Sequence, residues 1–84
     1  MEDLLQIGVI TSTHGIKGEV KVFPTTDDNN RFKQLKECFI EWKGEMIPVK
    51  AVGCRFFKNM VILKFEDIDQ INDVEKYKQC KLFV

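Results

Sequence analysis

The feature that most constrains this chain is its punctuation. Short apolar runs rich in β-branched and aromatic residues are cut at regular intervals by Gly, Pro, Asn or Asp, and no long helix-period stretch separates them. Residues 6–13 (QIGVITST) predict a first strand that halts at His14-Gly15. Glu19-Val20-Lys21-Val22-Phe23 alternates with period two before Pro24, so a second strand has one dry face and one wet face. The turn formers of residues 25–30 lead into Arg31-Phe32-Lys33-Gln34-Leu35, which offers room for about one helical turn. Residues 38–42 predict a third strand, Lys43-Gly44-Glu45 a tight loop, and residues 46–57 a long fourth strand in which Gly53 permits a bulge or bend. Lys58-Asn59 is a hairpin break before the fifth strand, Met60–Phe65, whose nearly continuous apolar character predicts a central or bent strand. Ile68, Ile71, Val74 and Tyr77 recur every third residue, Asn72 and Glu75 resemble a capping pair for a short helix, and residues 81–84 predict a sixth, closing strand. Many short strands, two minor helical turns and no βαβ alternation predict an all-β fold, a small six-stranded β-barrel.

Composition bounds what such a barrel does. With 84 residues there is room for one small domain spanning 1–84, and 44% hydrophobic residues including seven Phe can furnish its core. Thirteen basic and thirteen acidic side chains cancel, which excludes whole-molecule steering toward nucleic acid or membrane and leaves any polyanion contact to a local patch. Cys38, Cys54 and Cys80 stand singly without Cys-x-x-Cys spacing and are expected to be buried free thiols in a reducing compartment. The acidic start Met1-Glu2-Asp3-Leu4-Leu5 is neither a signal nor a transit peptide, and no apolar run spans a bilayer, so a soluble cytoplasmic protein without membrane contact is expected. Val84 ends the chain within a strand-like sequence, from which an excised domain with a following segment is expected.

Candidate chemistry is sparse. One histidine and no pair at metal-ligand spacing argue against an enzyme, a metal site or a cofactor, and His14 reads as a turn residue bonding its own loop. The acidic run Glu66, Asp67, Asp69, Asp73 and Glu75 lacks calcium-loop spacing and reads as a solvated helix start. Gly15-Ile16-Lys17-Gly18 matches the Gly-x-x-Gly pattern that clamps a nucleic-acid backbone in one RNA-binding module. Here the loop joins two strands, so a glycine turn needing positive φ explains it as well, and the two readings are compatible. Between residues 31 and 64 eight basic side chains face three acidic ones. Sharing a barrel face with Phe56 or Phe57, they would form a basic, aromatic RNA-contact surface. Strand alternation equally allows one of these rings inside, one outside, and a merely solubilising set of lysines.

Together, Ile7-Gly8-Val9-Ile10, Thr13 through Val22 (THGIKGEVKV), Pro24, Thr26-Asp27 and Arg31-Phe32 closely resemble the opening of the RimM family of bacterial ribosome maturation factors. Residues 61–69, Val74-Glu75 and residues 80–84 resemble the end of that family's N-terminal domain, although Glu66-Asp67 and Val74 stand where the family usually has Gly and Ala. The resemblance implies a barrel of the translation-factor type. It also implies a non-enzymatic assembly factor that helps dock on the head of the immature small ribosomal subunit and supports 16S rRNA processing. The family's PRC-type C-terminal barrel is absent from this chain, and contact with small-subunit ribosomal protein nineteen is expected mainly through that missing domain. The expected contacts to rRNA or ribosome are His14, Gly15, Lys17, Gly18, Lys21, Arg31, Arg55 and Lys58, on a monomer. The alternative is a purely structural or protein-interaction barrel that recruits a ribosomal protein through a strand edge or an apolar patch.

Overall fold

Strands β1 (Gln6–His14), β2 (Glu19–Pro24), β3 (Glu37–Trp42), β4 (Glu45–Phe57), β5 (Met60–Phe65) and β6 (Lys81–Phe83) close in the order β1-β2-β5-β4-β3-β6. The computed structural model describes residues 4–15, 17–27 and 30–84, with Ile71 by its backbone alone. Met1 to Asp3, Ile16, the Asp28-Asn29 part of the predicted turn and the Ile71 side chain lie outside the described residues. Every pairing is antiparallel, which suits connections as short as Lys43-Gly44 and Lys58-Asn59. Register shifts bend the ring in β1, between Gln6 and Gly8 and between Ile10 and Ser12, and in β4 between Ala51 and Gly53, the last at the glycine from which a bend is expected. β4 is thereby shared: its first half pairs with β3 and its second half with β5.

Period two sends Val20 and Val22, Cys38 and Ile40, and Val61, Leu63 and Phe65 inward, where they pack with Ile7, Ile10 and Leu82. Two short helical segments plug the ring. Helix α1 (Asn30–Lys33) inserts Phe32, for which Gly8 makes room: a Cβ there would lie 3.5 Å from the Phe32 ring and only 2.5 Å from Val22. Helix α2 (Ile71–Val74) and the 3₁₀ turn Glu75–Tyr77 contribute Val74 and Tyr77. Asn72 therefore sits inside α2 rather than at its cap, and the Asp73 N–H donates to the Gln70 carbonyl at 3.0 Å.

Strand direction sorts the connections. β2 runs antiparallel to both β1 and β5, so the β1–β2 loop and the β4–β5 turn lie at opposite ends, with α1 at the second. β6 runs antiparallel to both β1 and β3, which puts the β3–β4 turn at the glycine-loop end. Ring closure gives every described strand two neighbours, but residues 45–49 of β4 pair with β3 alone and residues 53–57 with β5 alone, so each half of this long strand keeps one side outside the ladders. No helix among the described residues is long and apolar enough to cross a membrane.

Candidate functional site

The glycine loop is built against the β5–α2 connection. Gly18 is buried with φ +86°, and a Cβ on it would stand 2.6 Å from the Ile68 carbonyl oxygen and 3.1 Å from the Gln70 nitrogen. Both the backbone conformation and the close approach require glycine there. Gly15 has φ +70°, but a Cβ on it would meet nothing within 4 Å, so conformation alone selects it. Beneath the loop the Lys64 ammonium donates to the Phe65 carbonyl at 2.8 Å, to the Ile68 carbonyl and to Asp69 Oδ1 at 3.0 Å, tying down the turn on which Gly18 rests. Lys17 is exposed, His14 is half-buried, and Glu66, Asp67 and Asp69 make this end mixed in charge.

A different surface forms on the outside of β2, β5 and β4. Lys21 and Arg55 are both ladder partners of Ile62, so the three side chains share the outer face. Ile62 is only 1% exposed yet stands outside the core cluster, on the face it shares with its two basic ladder partners. Arg55 Nη2 donates to Glu19 Oε1 at 2.9 Å, an exposed ion pair worth at most about 1 kcal/mol that fixes the direction of the guanidinium. One row further, Phe57 pairs with Met60, and Phe23 sits next to Val22, whose partner is Val61; Phe23 and Phe57 are each 52% exposed. Phe56 has the inward parity of Val61, its ladder partner, but lies where the barrel ends and is 42% exposed. Neither ring is buried, although alternation allowed for one inside.

Cations stand over these rings. The Lys58 ammonium lies 5.4 Å from the Phe57 centroid, and the Lys33 ammonium of α1 lies 5.8 Å from that of Phe56. At the other end Lys43 and Lys76 approach Trp42 at 4.9 and 5.1 Å, and Trp42 meets Tyr77 edge-on at 6.0 Å. In both hairpin turns a lysine with positive φ, Lys43 at 52° and Lys58 at 56°, places its ammonium over the aromatic residue before it. Cation–π attraction of about 0.5–1 kcal/mol offsets part of the left-handed backbone cost of about 1–2 kcal/mol.

The expected contact residues thus fall into two groups. Lys21 and Arg55 come together on the wall, with Lys58 at its lower margin and Arg31 exposed on α1 at the same end. His14, Gly15, Lys17 and Gly18 lie at the opposite end. Lys33 belongs to the basic set expected between residues 31 and 64, whereas Phe23 and the Trp42–Tyr77 pair were not foreseen as exposed or cation-facing rings; the aromatic-lysine dipeptide Trp42-Lys43 at a turn position was the available signal for the latter.

The expectation of three buried thiols needs correction. All three cysteines are free, but only Cys38 is buried; Cys54 and Cys80 are half-buried near the bulge and after the 3₁₀ turn. Burial pushes the Cys38 thiol up to about 12. Burial also raises Cys54, against a lowering by Lys33, and raises Cys80 with help from Glu41.

The profile of the RimM N-terminal domain matches residues 5–84. Ribosome maturation factor RimM of a type F strain of Clostridium botulinum is 49% identical over 79 residues, covering 94% of this chain and 46% of the relative. The protein of the same name from C. botulinum Alaska E43 is 53% identical over the same shares. A crystal structure of Pseudomonas aeruginosa RimM, assigned to 16S ribosomal RNA processing, superposes with a TM-score of 0.88 at 26% identity, covering 98% of this chain and 50% of that one. The chain spans about half the length of the relatives it matches.

Proposed function

The chain belongs to the RimM family, as its N-terminal domain, and on that footing we propose that it serves ribosome maturation by docking on the immature small subunit, at its head, through 16S rRNA. The observation that carries the contact is the β2–β5–β4 wall, where Lys21 and Arg55 flank a covered Ile62 and half-exposed Phe23 and Phe57 stand beside Lys58. Cations pair with phosphates and supply affinity, while the aromatic faces add contacts to unstacked bases. The domain acts in the cytoplasm without bond making: it binds one state of the subunit more tightly than another and so favours a productive assembly state. Contact with small-subunit ribosomal protein nineteen is left to a PRC-type second barrel. The domain works as a monomer.

Co-sedimentation of the 84-residue chain with immature small subunits tests this reading. Bound fraction falls as salt rises from about 50 to 200 mM, because each neutralised phosphate releases counterions. Binding that ignores salt, or no binding, would overturn the rRNA contact; salt-insensitive binding would favour a protein partner on the apolar part of the same wall.

A further inference from the structure

Two clefts among the described residues differ in the charge of their linings. One, of about 510 Å³, is lined by Glu37, Glu66 and Asp67 against a single Lys50 and so repels phosphate. The other, of about 410 Å³, opens at the α1 end between Phe23, Pro24, Phe56, Lys58, Asn59 and Met60, with no carboxylate in its lining. That volume falls in the range of about 300–1,000 Å³ typical of small-ligand sites. Both rings in the lining are roughly half exposed, and the Lys33 ammonium 5.8 Å from the Phe56 centroid adds a second cation at the rim.

Resting on the rRNA reading above, we propose that this second cleft takes the base of a single unpaired nucleotide, so that the domain recognises a bulged or looped strand rather than a paired helix. Phe23 and Phe56 supply π-faces for stacking. The Asn59 amide carries both a donor and an acceptor for a base edge. Lys58 and Lys33 meet the phosphates on either side. A paired A-form helix keeps its base faces stacked and hides them from such a cleft, whereas an extruded nucleotide presents one. An apolar protein side chain would use the Phe, Pro and Met lining but leave both ammonium groups without a charged partner.

The test is fluorescence anisotropy of the 84-residue chain at low salt with two labelled RNA hairpins, one fully paired and one carrying a single bulged adenosine. The bulged hairpin binds at least about fivefold more tightly. Phe56→Leu, which keeps an apolar side chain but removes the π-face, abolishes that preference, and Phe56→Trp keeps it. Urea midpoints of both variants verify that they fold, and Lys58→Glu weakens the bulged hairpin as a second, independent probe of the rim. Equal affinity for the two hairpins, or a preference that survives Phe56→Leu, overturns the cleft and leaves the rRNA reading standing. Absence of binding to either hairpin overturns both. A Phe56→Leu variant that loses subunit binding while keeping the bulge preference shows that a protein occupies the cleft and also overturns the proposal.

Discussion

At one end of the barrel Gly18 takes a positive φ of 86°, and at the other Lys58 takes one of 56°. The first turn is closed from above and below: Gly18 is packed against the Ile68–Gln70 backbone, and Lys64 ties that backbone in place. The second is open, its lysine reaching over Phe57 beside a cleft without carboxylates. At these two turns left-handed backbone is relieved by a packed glycine in one case and borne by a lysine over an aromatic ring in the other. The lesson is that packing and backbone conformation account for the two glycines of the motif most conspicuous in the sequence, while the exposed rings with lysines over them gather elsewhere.

The largest effect expected on the packed side concerns the interior. With its pKa raised from an ordinary 9.0 to about 12, Cys38 holds so little thiolate at pH 8 that alkylation in the folded protein runs about a thousandfold slower than in the unfolded chain. A raised thiol pKa means that the unfolded chain gives up its proton first. The contribution to stability is therefore complete below about pH 9 and is lost at about 1.4 kcal/mol per pH unit as pH rises toward 12. Urea titrations against Cys38→Ala isolate that slope; equal slopes in the two proteins would show that the thiol is not held dry.

Next in size is the difference between the two loop glycines. Gly18→Ala meets both a left-handed backbone and the Ile68 carbonyl, and is expected to cost about 3 kcal/mol or more, whereas Gly15→Ala has open space and costs about 1 kcal/mol. Urea midpoints of the two variants measure this directly, and similar losses would remove the packing role assigned to Gly18. Smallest in stability is Lys58→Gly, which relieves the backbone but forfeits the cation over Phe57, so the midpoint moves by less than about 1 kcal/mol. The same substitution weakens subunit binding. A Lys58→Gly protein that binds as well as wild type would make that turn as architectural as the other.

Much of this barrel was legible before its shape was known. Period two in residues 19–23, the Pro24 stop and the Lys58-Asn59 break placed strands to within about one residue, because those signals are local. Closure of β1 against β6 was a topological expectation that no local pattern encodes. Equally invisible was the reason for Gly18, since its neighbour Ile68 lies on a distant connection. Phe56 shows where alternation misleads: its parity is inward, but the strand outruns the barrel and the ring has no interior to enter. Among candidate contacts, cross-strand register decided which basic residues meet. Lys21 and Arg55 find each other only through Ile62, and Lys33 reaches Phe56 only because α1 folds under that end.

Co-sedimentation of two charge-reversal variants with immature small subunits, at one fixed low salt concentration, separates the two ends most directly. Lys21→Glu combined with Lys58→Glu is predicted to weaken binding by about tenfold or more, while Lys17→Glu at the glycine loop stays within about twofold of wild type. The reverse outcome, with Lys17→Glu abolishing binding and the wall variant unaffected, would place the contact on the loop and contradict the division drawn between architecture and recognition.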